Sequence, residues 1–195
     1  MKARRYSASQ LALFRACRRK WWFSYPAGFK TPPGPSQLLG SEIHRQIRKY
    51  LLDGAEPVDA RAVEGLRSLA STPAGALHVE GGITIPLSPA ADGTPRSFVG
   101  FIDLLDDGDP SRPVITDHKT TSDIRYAKTS YELAEDVQMI SYAKHAIDRY
   151  PEALEVELRH NVIPTKGAPR ALLTSTTVGR AHVEARWAAY PPILA

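Results

Sequence analysis

One cysteine, Cys17, stands among 195 residues. A single thiol closes no internal disulfide and cannot by itself complete a zinc or iron–sulfur site. No run of about 18 apolar residues occurs, so no transmembrane helix is expected. The basic start, MKARRYSASQLALF, leads into neither a long apolar stretch nor a small-residue cleavage site. A signal peptide is therefore not expected, and the cytoplasm is the expected compartment. Internal repeats and low-complexity tracts are absent as well. What remains is ordinary globular composition, 43% hydrophobic and 24% charged, at a length that predicts one domain.

Charge is unevenly spread. Residues 1–50 hold eleven Lys and Arg against one acid, Glu42, whereas the other 145 residues hold 14 basic and 20 acidic side chains. A basic N-terminal third on a mildly acidic body points to an anionic partner on one side, nucleic acid being the commonest. A solvated basic helix without a partner is the alternative.

Periodicity predicts a helix from Gln10 to about Tyr25, with Ser9 as cap and Pro26 as stop. Its apolar stripe is Leu11, Phe14, Cys17, Trp21 and Tyr25. Arg15, Arg18, Arg19 and Lys20 lie opposite, with Trp22 beside them. These five are the candidate nucleic-acid contacts: cations for phosphates, an indole for an unpaired base. A second helix is expected over 38–52, with Ile43, Ile47, Tyr50 and Leu51 inward, and a third over 59–70. The period then shifts to strands at 78–87 (with a bulge at Gly81-Gly82), 97–105 and 113–121, the last two forming a hairpin across DDGDPSRP. A helix over 131–149, strands at 153–164 and 171–178, and a final helix before Pro191-Pro192 follow. This order predicts an α/β (α+β) domain: a mixed central sheet flanked by helices. It would comprise a helical basic part (1–72), a sheet core (77–178) and a terminal helix (179–195).

On the 113–121 strand, Asp117 and Lys119 share a face. A carboxylate can hold a hard cation there while the lysine orients a water or stabilises developing charge; a salt-bridged surface pair is the alternative. Asp103 follows the apolar run FVGFI, where a carboxylate needs a partner. On an adjacent strand it could share the same cation, or else cap a turn. His44 offers an imidazole four residues after Gly40. Gln138 and Tyr142 share one helix face and can hydrogen-bond a phosphate, a carboxylate or the lysine.

Taken in order, Gly40-x-x-x-His44, the strand residue Glu80, Gly100-x-x-Asp103, Asp117-x-Lys119 and Gln138-x-x-x-Tyr142-Ala143 resemble the RecB-like branch of the PD-(D/E)XK nuclease superfamily. The opening Ser7–Trp21 segment is similar to that branch's first helix. CRISPR-associated RecB-like and phage recombination exonucleases are related to it. The resemblance implies a restriction-endonuclease-like core and hydrolysis of DNA phosphodiesters with Mg²⁺ or Mn²⁺. It also implies that Asp103, Asp117, His44 and the backbone carbonyl of His118 are metal ligands. Lys119 would be the catalytic lysine, supported by Gln138 and Tyr142, and Glu80 would lie near the scissile phosphate. Many relatives hold a [4Fe–4S] cluster on four cysteines; Cys17 is followed by Arg18 and no second cysteine exists, so this chain cannot build one. The expectation is then a cluster-free member or a missing C-terminal segment. A metal-dependent DNA nuclease, an exonuclease by resemblance, leads. A non-catalytic DNA-binding module and a structure-specific endonuclease stay open.

Overall fold

A computed structural model describes residues 3–69 and 77–190. The chain runs β1 (Arg4–Tyr6), α1 (Ala8–Ala16), α2 (Arg18–Ser24), α3 (Pro35–Asp53), α4 (Ala60–Arg67), β2 (Leu77–Leu87), β3 (Arg96–Asp106), β4 (Val114–Thr121), a 3₁₀ turn (Ile124–Tyr126), α5 (Ser130–Ala134), α6 (Val137–Arg149), β5 (Glu155–Pro164), β6 (Leu172–Gly179) and α7 (Arg180–Ala188). The expected mixed sheet with flanking helices is present.

β3 organises the six-stranded sheet. β2 pairs antiparallel along its whole length on one side. On the other side, β1 runs parallel to its first residues (Arg4 opposite Arg96, Tyr6 opposite Phe98), and β4 runs antiparallel to its last (Leu104 opposite Thr116, Asp106 opposite Val114). Between them, Val99–Asp103 have no ladder partner on that side. This gap is where the site forms. β5 then pairs parallel with β4, and β6 antiparallel with β5.

Each sheet face buries its own cluster. The larger joins Leu11 of α1, Phe98 and Ile102 of β3, Ile140, Ala143 and Ile147 of α6, and Val183 and Trp187 of α7. The smaller joins Ile43 and Ile47 of α3, Ala62 of α4 and Ile163 of β5. Helices thus cover both faces, which suits β5, whose run Asn161–Pro164 is buried without alternation.

The structure corrects several sequence expectations. The single helix over 10–25 is two helices, α1 and α2, broken at Cys17, whose backbone is extended (φ −162°). In a continuous helix, residues seven apart rise by about 10.5 Å. Here the Phe14 and Trp21 rings meet edge-on at 5.1 Å, a contact only the break allows. Cys17 and Tyr25 are exposed rather than part of an apolar stripe, and the cap is Ser7, not Ser9. Tyr50 likewise lies outside the core. The helix expected over 131–149 is also two. Thr129 and Glu132 form a capping box on α5, and Asp136 caps α6 by accepting from the Met139 N–H. β1 lies just ahead of the expected first helix, in a stretch with no predicted element; three residues carry too little pattern to read.

Gly81 and Gly82 form no bulge: they pair in unbroken register with Ile102 and Phe101. The distortion falls one residue earlier, at Glu80, a non-glycine residue at φ 49°. Ile102 and Leu105 both reach the larger core, which regular alternation does not permit, so the pleat is interrupted opposite Glu80. Ala70 and Pro191-Pro192, expected to end helices, lie outside the described residues.

Candidate active site

The site grows from the gap beside β3. Where β4 diverges, the Asp103 carboxylate takes over from the ladder and accepts the His118 N–H at 2.7 Å. At the same gap, the Tyr142 hydroxyl donates to the Phe101 carbonyl. Gly100 makes that reach possible, because a Cβ there would sit 2.9 Å from Tyr142 Cε1. Gly40 does the same for α3: a Cβ would run into Thr120 Oγ1, so glycine lets α3 lie against β4 and deliver His44. His44 Nδ1 stands 3.7 Å from Asp103 Oδ2.

Gln138 is the hub on the α6 side. Its Oε1 accepts from Lys119 Nζ at 2.8 Å, while its Nε2 donates to Asp117 Oδ1 at 3.0 Å and to the Tyr142 oxygen at 2.8 Å. Lys119 Nζ also sits 2.6 Å from Asp117 Oδ2. Asp117 is buried and Lys119 is partly open to solvent.

Burial dominates the electrostatics. It pushes the Asp117 carboxyl up to about 6, with the Asp103 charge adding to the shift and Lys119 opposing it. Asp103 is raised too, again by burial first. Burial lowers His44, and drives His118 down to about 3 and His160 down to about 4, so neutral rings surround the carboxylates at neutral pH. Tyr142 is raised by burial and stays a hydroxyl donor.

A protein-family model described as the PD-(D/E)XK nuclease superfamily matches residues 60–155, the stretch from α4 through Asp103, Asp117, Lys119, Gln138 and Tyr142 to the start of β5. Over that stretch the chain is similar to the PD-(D/E)XK nuclease superfamily. Among solved structures, a candidate exonuclease from Eubacterium rectale is similar in fold at TM-score 0.58 and 12% identity, over 94% of this chain and 76% of that one. A protein named SSO0001 matches at TM-score 0.48 and 12% identity, over 100% and 78% of the two chains. A phage-related exonuclease from Haemophilus somnus matches at 0.36 and 14%, over 100% and 95%. No curated protein matches the sequence.

Similarity to that superfamily raises the question of a metal. The donor set suits a hard divalent ion in kind: two carboxylates whose charge burial disfavours first, Asp103 adding to the shift of Asp117 and Glu80 to that of Asp103, beside a neutral imidazole. Among the described residues, no three His, Cys, Asp or Glu side chains already converge as ligands. The fit therefore rests on donor chemistry. The His118 side chain points away from Asp117, as strand alternation requires. Its Nδ1 lies 3.1 Å from Asn161 Nδ2, and its ring meets His44 edge-on at 5.7 Å. Glu80 lines a small pocket with His44, Asp103, His118 and Arg48, and pairs with Arg48 at 3.2 Å.

The basic residues gather elsewhere. Arg15, Arg18, Arg19 and Lys20 are all exposed, and among the described residues no carboxylate lies within ion-pair distance of any of them. Arg18 instead covers the Phe14 ring and Arg19 the Phe23 ring. Trp22 is 53% exposed, whereas Trp21 packs on Phe14.

Sequence reasoning missed Arg48, His160 and Asn161. His160 falls on the inward phase of Val156, Leu158 and Val162, and Asn161 follows it. That pattern was a usable signal, because a buried polar group in a strand needs a partner.

Proposed function

We propose that the chain is a divalent-metal-dependent deoxyribonuclease of the RecB-like branch that hydrolyses DNA from its ends. The observation that carries this is the Asp117–Lys119–Gln138 arrangement: an ammonium held 2.6 Å from a buried carboxylate and 2.8 Å from an amide oxygen, next to a second raised carboxylate. A bound Mg²⁺ or Mn²⁺ supplies Lewis acidity toward the scissile phosphate and makes a water more acidic.

Asp103, Asp117, His44 and the His118 carbonyl are the residues that would hold the ion. Lys119 orients the attacking water and balances charge developing on the phosphate. Gln138 holds Lys119 by its oxygen and Asp117 by its nitrogen, which fixes the distance between them. Tyr142 anchors Gln138 to the β3 backbone. Glu80, strained and facing Asp103, flanks the reacting phosphate. Arg15, Arg18, Arg19 and Lys20 grip the DNA backbone, and Trp22 stacks on a base. The exonuclease reading draws on the family resemblance and on the Eubacterium rectale neighbour's description.

The test is digestion of end-labelled linear DNA and covalently closed circles with Mg²⁺, Mn²⁺ or EDTA. Linear DNA should be degraded with either metal, and circles and EDTA samples should stay intact. Cleaved circles would replace the exonuclease with an endonuclease. Binding without cleavage of either substrate would leave a DNA-binding module.

A further inference from the structure

His160 is the most deeply placed imidazole on the Asp117 side of the sheet, and no motif of the family resemblance includes it. It is directly opposite Asp117 in the β4–β5 register. It is 2% exposed, its Nε2 has no hydrogen-bond partner among the described residues, and that atom lies 3.7 Å from Asp117 Oδ2. A buried imidazole nitrogen without a partner is costly and is kept for a reason or filled by a neighbour.

Asp117 Oδ2 supplies the reason. In the resting arrangement its close cationic neighbour is Lys119, at 2.6 Å. In the metal-free chain, any movement of Lys119 away strips that buried oxygen of its nearest counter-charge. Gln138 cannot compensate, because its Nε2 is already shared between Asp117 Oδ1 and the Tyr142 oxygen. Among the described residues, His160 is the other ion-pairing group within 4 Å of Oδ2, and a closure of less than about 1 Å would bring it to hydrogen-bond range.

We infer that His160 is a positioning residue: a standby donor that takes over Asp117 Oδ2 when Lys119 leaves it, and so keeps the carboxylate aimed while the lysine acts. The role rests on the proposed reading of Lys119 as the mobile catalytic group. The takeover itself is a property of the metal-free chain and can be tested there.

The test is a double-mutant cycle on the whole protein, unfolded by urea at about pH 8 without metal. His160→Leu keeps bulk and removes the donor; His160→Gln keeps a donor. With Lys119 in place, His160→Leu should cost little. In the Lys119→Ala background it should raise the unfolding equilibrium constant by about ten- to a hundredfold more, the loss expected for one buried hydrogen bond to a charged group, and His160→Gln should recover most of it. Equal effects of His160→Leu in both backgrounds would overturn the proposal, whatever the chain does to DNA. Should the Leu variant not fold, comparing His160→Gln with His160→Ala in the two backgrounds decides the same question. If the chain cuts DNA, His160→Leu should also lower kcat at least tenfold with KM for DNA unchanged. Loss in KM alone would mark His160 as a binding residue instead. Absence of DNA cleavage by the wild type would remove the catalytic reading and leave the cycle standing.

Discussion

At the scale of single residues, the carboxylate Asp117 is held where it is least comfortable. Its folded-state carboxyl titrates near about 6 against an ordinary 3.8, because burial and Asp103 disfavour its charge more than Lys119 favours it. Between those values the folded chain holds a proton that the unfolded chain has lost. Asp117's contribution to stability therefore falls as pH rises through that window, and above it remains a standing penalty. Asp117→Asn should accordingly stabilise the metal-free protein by on the order of 2 kcal/mol near neutral pH, and by little below about pH 4. Urea midpoints measured across that range check it, and a variant less stable than wild type at neutral pH would contradict it. Asp117, Lys119, Gln138 and Tyr142 were legible in the sequence because each sits at a spacing that strand or helix geometry converts into a shared face. Glu80's strain and His160's proximity were not, because both depend on which strands become neighbours.

Elements carry the next level of control. α6 must present Gln138 and Tyr142 at fixed depth, and its far end is tied down from another part of the chain. Arg180, at the start of α7, donates to the carbonyls of Ile147, Tyr150, Pro151 and Ala153. These include orphan groups of the α6 C-terminus, which a guanidinium fork can satisfy together. Arg180→Ala should cost about 1.5–3 kcal/mol of unfolding free energy, the range for hydrogen bonds to charged groups, and Arg180→Lys should restore only part. Guanidinium unfolding of both variants checks this; a full recovery with lysine would mean that charge, not the fork, does the tying. The breaks at Cys17 and before α6 show why element boundaries were hard to read. The apolar period alone runs through both. One break comes from Phe14 and Trp21 meeting across a turn, the other from the Asp136 cap. The capping box at Thr129 and Glu132 was a readable local signal, whereas the ring contact is tertiary.

Over the whole molecule, charge and chemistry are separated: the cations of α1 and α2 lie outside the carboxylate site that α3, α6, β3 and β4 build. Cations with no carboxylate in ion-pair distance among the described residues, beside exposed aromatics, suit the proposed phosphate-binding surface. A triple variant, Arg18→Ala with Arg19→Ala and Lys20→Ala, should weaken DNA affinity. It should also flatten the log–log salt slope by about 0.7–0.9 for each phosphate no longer neutralised. An unchanged slope would make this a solvated face and move the DNA path elsewhere. The most direct measurement of the whole scheme sets binding against turnover in one variant. With Mn²⁺ present, Lys119→Ala should bind linear DNA within about threefold of wild type while its cleavage rate falls by about 10²–10⁴, the span typical of a lost acid–base or water-orienting group. Wild-type cleavage by Lys119→Ala would contradict the assignment of this site as the nuclease centre.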